Sequence, residues 1–84
     1  MKQYKFTIKL GGVSYITSEL IDKLYEAGCN DGLINQKNGG VYLDFDRRAT
    51  SYGAAIQEAI YQIEYIVLND GSEIEVLEVL RGIE

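Results

Sequence analysis

From Tyr4 to Leu10 the chain alternates without a break. Tyr4, Phe6, Ile8 and Leu10 fall on one side, and Lys5, Thr7 and Lys9 fall on the other. That period of two belongs to a β-strand buried on a single face, so the protein must contain a sheet covered on one side only. Gly11-Gly12 closes the strand.

The residues after this strand decide how the sheet is covered. Thr17 and Ser18 offer an N-cap, and Glu19 stands in the first turn, where the helix dipole favours an acid. Ile16 and Ile21 have the spacing of a hydrophobic staple. Leu20, Ile21, Leu24 and Tyr25 form one helical stripe, and Gly28 is placed as the left-handed residue that ends it. Asn30 to Gly32 then read as a bend, and Leu33-Ile34 as the start of a short second strand. Lys37-Asn38-Gly39-Gly40 is a hairpin turn, leading into a third strand in which Val41, Leu43 and Phe45 alternate with Tyr42, Asp44 and Asp46. Thr50 or Ser51 caps a second helix with the stripe Ala55, Ile56, Ala59, Ile60, Ile63 and Val67. A turn at Asn69-Asp70-Gly71 precedes a last strand over 73–76, whose alternation breaks at Val76-Leu77 as at a bulge or a strand end.

The order β-α-β-β-α-β is that of a ferredoxin-like α+β sandwich, two helices on one face of a four-stranded antiparallel sheet. The 84 residues leave room for one domain, spanning 1–84. In the strand order 4-1-3-2, Lys5 and Lys9 would face Glu73 and Glu75 on one side and Asp44 and Asp46 on the other. The open face would then be a lattice of cross-strand ion pairs, with Tyr42 at its centre.

Composition narrows the function classes. Thirteen acidic and eight basic residues give a net charge of −5, a balance that disfavours direct nucleic-acid binding and suits a protein partner. The lysines Lys2, Lys5 and Lys9 and the adjacent Arg47 and Arg48 make only short basic groups. No apolar run approaches a bilayer span, and residues 1–10 lack the apolar core of a signal peptide. With one cysteine and no histidine, a disulfide framework and a structural zinc site are both disfavoured, and a cytoplasmic location is expected.

Four groups of residues invite chemistry. Cys29 follows a helix C-terminus, where the dipole disfavours a thiolate, and no histidine exists to activate it, so it reads as a packing residue. Asp44 and Asp46, with Asp31 or Glu73, have the makings of a cation site, but Lys5 and Lys9 are expected to neutralise them. Gly11, Gly12, Ser14 and Tyr15 form the loop best suited to a small ligand, although no phosphate-binding fingerprint is present. Tyr61 and Tyr65, four apart on the second helix, are tyrosines of the kind that anchor interfaces. GGVYLDFD departs from an RNA-recognition motif by its flanking acids, and GGVSYIT lacks the arginine of an acylphosphatase loop. No catalytic set, metal site or cofactor is expected.

Three fragments, FTIKL, LYEAGCNDGLI, and GGVYLDFDRRATS with the following AIQEAIYQIE, resemble a small bacterial family carrying AGC(D/N)D and VYLDFDR segments. Its members are generally uncharacterised, and many carry a helix-turn-helix after this module. Here the sequence stops at Glu84, directly after the last expected strand, and Gly32 and Arg48 stand where the family has alanine and an acid. The resemblance therefore implies the fold and an accessory, regulatory character, and carries over neither DNA binding nor a catalytic residue. The expectation is a non-enzymatic interaction module of a bacterium or phage, self-associating as a homodimer through the sheet face or edge. The face residues Tyr42, Asp44, Asp46, Lys5 and Lys9, together with Tyr61 and Tyr65, are its candidate contacts. Two alternatives are an acidic inhibitor that mimics nucleic acid, encoded by a mobile element, and a small-molecule sensor using the loop from Gly11 to Tyr15.

Overall fold

The structure, a computed structural model, describes residues 2–29 and 31–81. It is an α+β protein in the order β1 (Lys2–Gly11), α1 (Ser18–Glu26), β2 (Gly32–Lys37), β3 (Gly40–Ala49), α2 (Tyr52–Glu64) and β4 (Glu75–Arg81). The four strands form one antiparallel sheet ordered β2-β3-β1-β4, so β1 and β3 are central while β2 and β4 are edges. Read from β4, that order is 4-1-3-2.

Alternation does its work on the central strands. Phe6, Ile8 and Leu10 of β1 and Val41, Leu43 and Phe45 of β3 are buried, and Phe6 stacks on Phe45 with ring centroids 5.1 Å apart. Leu20 and Leu24 of α1, and Ala55, Ala59 and Ile63 of α2, close over them in one cluster with Cys29, Ile66 and Ile74. Burying each large side chain here stabilises the fold by about 1.5–3 kcal/mol, and the two alanines let α2 lie close to the sheet.

Local chemistry sets the helix ends. Thr17 accepts the Leu20 N–H and Ser51 the Ala54 N–H, each at 3.1 Å. At the end of α1 the Cys29 N–H donates to the Leu24 carbonyl and the Gly28 N–H to the Tyr25 carbonyl. Gly28 has φ +99°, completing a Schellman stop that turns Cys29 back beneath the helix. Asn30, expected in the bend, lies outside the described residues. The Asn38-Gly39 pair closes the β2–β3 hairpin with both residues at positive φ.

Three expectations need correction. Helix α2 stops at Glu64, and Val67 leaves its stripe to form an isolated bridge with Glu73. Ile21 and Tyr25 are exposed, so the working stripe of α1 is Leu20 and Leu24 alone. The last strand begins at Glu75 rather than Glu73 and runs on to Arg81. The broken alternation at Val76-Leu77 is a bulge: Leu10 pairs Val76 and Lys9 pairs Glu78, which leaves Leu77 extra. Leu77 folds over Gly11, where a Cβ would sit 2.8 Å from its side chain. Only glycine leaves room for that contact.

Candidate functional site

The pairing register fixes what the uncovered face of the sheet displays. Directly paired residues share a face, so the open side carries Lys5, Thr7 and Lys9 beside Asp46, Asp44 and Tyr42. Leu33, Asn35 and Lys37 lie outward on β2, opposite Asp44, Tyr42 and Gly40. Glu75, Glu78 and Leu80 lie outward on β4, opposite Gly11, Lys9 and Thr7.

This register corrects the lattice expected from the sequence. Lys5 does face Asp46, but Lys9 stands between Tyr42 and Glu78, and Asp44 faces Thr7. The bulge and the later start of β4 move Glu73 and Glu75 out of reach of the positions assigned to them. Among the described residues, the ion pairs within 4.0 Å all involve Arg47, so the face is not held by contact salt bridges. Its centre is instead a hydrogen-bonded seam. Asp44 accepts from the Thr7 hydroxyl at 2.5 Å and from the Asn35 amide. Lys9 and Lys37 place their ammonium groups 5.9 and 5.8 Å from the centroid of the Tyr42 ring, within cation–π range.

The apolar content of this face was not foreseen. Leu33 on one edge is 67% exposed, and Leu77 and Leu80 on the other are 57% and 44% exposed. Sequence reasoning ended β4 at Val76 and so left both β4 leucines without a place. A shallow groove of about 370 Å³ runs between Leu33, Asp44, Asp46 and Lys5.

Tyr61 and Tyr65 belong to the opposite side of the molecule. Tyr61 lies on α2 and Tyr65 just past its end, their rings 6.3 Å apart and largely exposed, with Tyr65 bordering a groove of about 390 Å³ formed with Lys23, Glu26, Ala27, Ile66 and Val67. The structure therefore divides the expected contact set into two surfaces that one partner cannot cover together. Tyr52 is used internally: it donates to the Lys5 carbonyl and packs against Tyr4 at 4.7 Å, with Arg81 over its ring.

The loop from Gly11 to Tyr15 borders an open groove of about 270 Å³ with Thr17, Glu19, Asp70 and Ser72. Several polar groups around it are already engaged. Glu19 accepts the Asn69 N–H, and Gln36 bonds the loop backbone at Ser14 and Ile16. Asp70 accepts from the Ser72 hydroxyl and N–H, which lowers its pKa. Gly12 passes so close to the Glu73 carbonyl that a Cβ would lie 2.3 Å away. The glycine thus serves chain packing.

Arg47 is the residue that sequence reasoning misplaced. Grouped with Arg48 as surface charge, it lies on the buried side of β3 and is only 8% exposed, whereas Arg48 points outward. The signal was present: the register Val41, Leu43, Phe45 continues to position 47. Its guanidinium forms a bidentate fork with Asp31, Nε to Oδ2 at 2.8 Å and Nη2 to Oδ1 at 2.7 Å. Nη1 donates to Gln62 Oε1 at 3.0 Å and reaches Glu58 at 3.5 Å, and the group lies over the Phe45 ring. The Cys29 thiol donates weakly to the same Gln62 oxygen at 3.8 Å.

Burial works to lower the Arg47 pKa, but the hydrogen bonds and charge of Asp31 outweigh it and hold the group above its ordinary value. Burial also pushes the Cys29 thiol from 9.0 up to about 11, with Arg47 opposing and Asp31 assisting. A thiol so protonated at neutral pH is a poor nucleophile. Asp31, engaged by the fork, is withdrawn from any cation site with Asp44 and Asp46, and no three metal-ligating side chains converge among the described residues. This corner ties Cys29, Asp31, Arg47 of β3 and Gln62 of α2 into one hydrogen-bonded cluster.

No protein-family model, curated protein or solved structure matches the chain. Among the described residues no helix is long and apolar enough to cross a membrane.

Proposed function

We propose that this protein is a non-enzymatic interaction and regulatory module of ferredoxin-like fold, working through the open face of its sheet. The observation that carries the reading is the contrast on that face. Exposed leucines stand on both edges, while the centre holds a polar seam in which Asp44 accepts from Thr7 and Asn35. Such a surface suits docking, where apolar area supplies affinity and polar groups supply register. The β2-β3-β1-β4 order supports the fold assignment. A cytoplasmic setting suits the buried, protonated thiol.

Amide-resolved NMR spectra across a millimolar-to-micromolar dilution series test the reading. Shifts that move with concentration are expected at Thr7, Lys9, Asp44 and Leu80. Movement confined to Tyr25, Tyr61 and Tyr65, or none at all, would overturn it.

The helical layer favours a second reading. Glu19, Asp22, Glu26, Glu58 and Glu64 stand on the helices against one helical cation, Lys23, with Arg47 of β3 reaching only Glu58, and this acid-rich surface is the kind a nucleic-acid mimic presents to a basic groove. Asp22→Lys with Glu26→Lys would relieve such inhibition and leave association through the sheet untouched.

A further inference from the structure

We infer that the occupant of the open face is a second copy of this chain, docked face to face about a two-fold axis that runs parallel to the strands between β1 and β3. The inference rests on the reading of that face as the working surface. It comes from the order of residues across each row of the sheet.

A rotation about such an axis lays β1 of one copy over β3 of the other, and β4 over β2, so each row meets its own reverse. The middle row reads Leu33, Asp44, Thr7, Leu80. Reversed onto itself, it sets Leu33 against Leu80 and Asp44 against Thr7. The next row reads Asn35, Tyr42, Lys9, Glu78 and sets an amide against a carboxylate and an ammonium against an aromatic face. Lys37 and Glu75 then meet at one end, and Asp46 meets Lys5 at the other. In the two rows that span all four strands, each position meets a complementary one.

For the central strands this match arises from ordinary cross-strand pairing. For the edges it does not. Strands β2 and β4 are separated by two strands within the chain and never pair. Nothing in the fold requires Leu33 to match Leu80 or Lys37 to match Glu75. A facing second copy does.

Charge supports the same occupant. On this face Lys5, Lys9, Lys37 and Arg48 balance Asp44, Asp46, Glu75 and Glu78, so the surplus of acids that makes the chain −5 lies elsewhere. Two copies can therefore approach here without the repulsion their net charge imposes on other surfaces. Twisted sheets stack about 10 Å apart with strands about 30° off parallel. The rows thus coincide at the centre and drift by roughly one residue at the edges, where Leu77 beside Leu80 widens the apolar target.

The test reverses edge charges in the full chain. Lys37→Glu and Glu75→Lys should each weaken self-association, by about tenfold when both symmetric contacts are lost. The double variant, with the pair exchanged, should recover to within about twofold. Because the two strands do not touch within one chain, such recovery can arise only between copies. A double variant no stronger than the singles would overturn the proposal. As an independent readout, a short bismaleimide should join Leu33→Cys protein to Leu80→Cys protein when mixed, and neither variant to itself. Dilution shifts on the sheet face without that mixed cross-link would reject the two-fold arrangement alone and leave the sheet-face reading standing. The absence of dilution shifts would reject both.

Discussion

The Arg47 corner and the open sheet face handle charge in opposite ways. In the corner, one guanidinium is enclosed and every donor direction it uses is met, by Asp31, Gln62 and Glu58. On the face, eight charged side chains stand without a contact ion pair among them. The difference is burial. An enclosed charge must be matched or it costs several kcal/mol, so the corner is specified atom by atom. A hydrated charge needs no match within its own molecule, and the face is free to be specified by something outside it.

If burial governs that contrast, the largest effect belongs to Asp31→Ala. It leaves Arg47 buried without its fork and should cost about 2–3 kcal/mol in urea unfolding, less than a fully enclosed pair because Asp31 is partly hydrated. Arg47→Met removes the buried charge together with its need, and should cost about 1 kcal/mol or less. The two variants falling equally would show that the corner is not governed by desolvation.

A pH titration sharpens the same side of the comparison. The Cys29 thiol has its pKa raised by folding, so the native state binds the proton more tightly than the unfolded chain. Stability from this group is complete below pH 9 and declines as pH rises through about 11. Cys29→Ala should abolish that decline, seen as midpoints that no longer drift with pH above 9 relative to the parent.

On the face, Asp44→Ala loses two half-buried hydrogen bonds and should cost about 0.5–1.5 kcal/mol. Leu80→Asp changes a side chain on the solvent side of the sheet and should move monomer stability by no more than about 0.5 kcal/mol. A large loss from Leu80→Asp would place that leucine in the fold and break the comparison.

How far the sequence revealed these two regions also differs. Period-two alternation located β1 and β3, and the helix stop at Gly28 with Cys29 packed beneath it was readable from local chemistry alone. The polar centre of the face was therefore legible, Tyr42, Asp44 and Thr7 included. Its apolar edges were not, because a single extra residue at Leu77 shifts the register of β4 and carries Leu80 outward. The corner escaped for a different reason. Arg47 finds Asp31 across sixteen residues and Gln62 across fifteen, through packing between three elements that no local pattern encodes. Its alternation still marked it as inward, which a reading of adjacent arginines as surface charge overlooked.

On this reading the working surface is the face and not the corner. Sedimentation equilibrium of the full chain beside its Leu80→Asp form tests it most directly. A reversible dimer is expected for the parent chain and a folded monomer for the variant. A parent chain that stays monomeric at every concentration, or a variant that dimerises equally well, would contradict it.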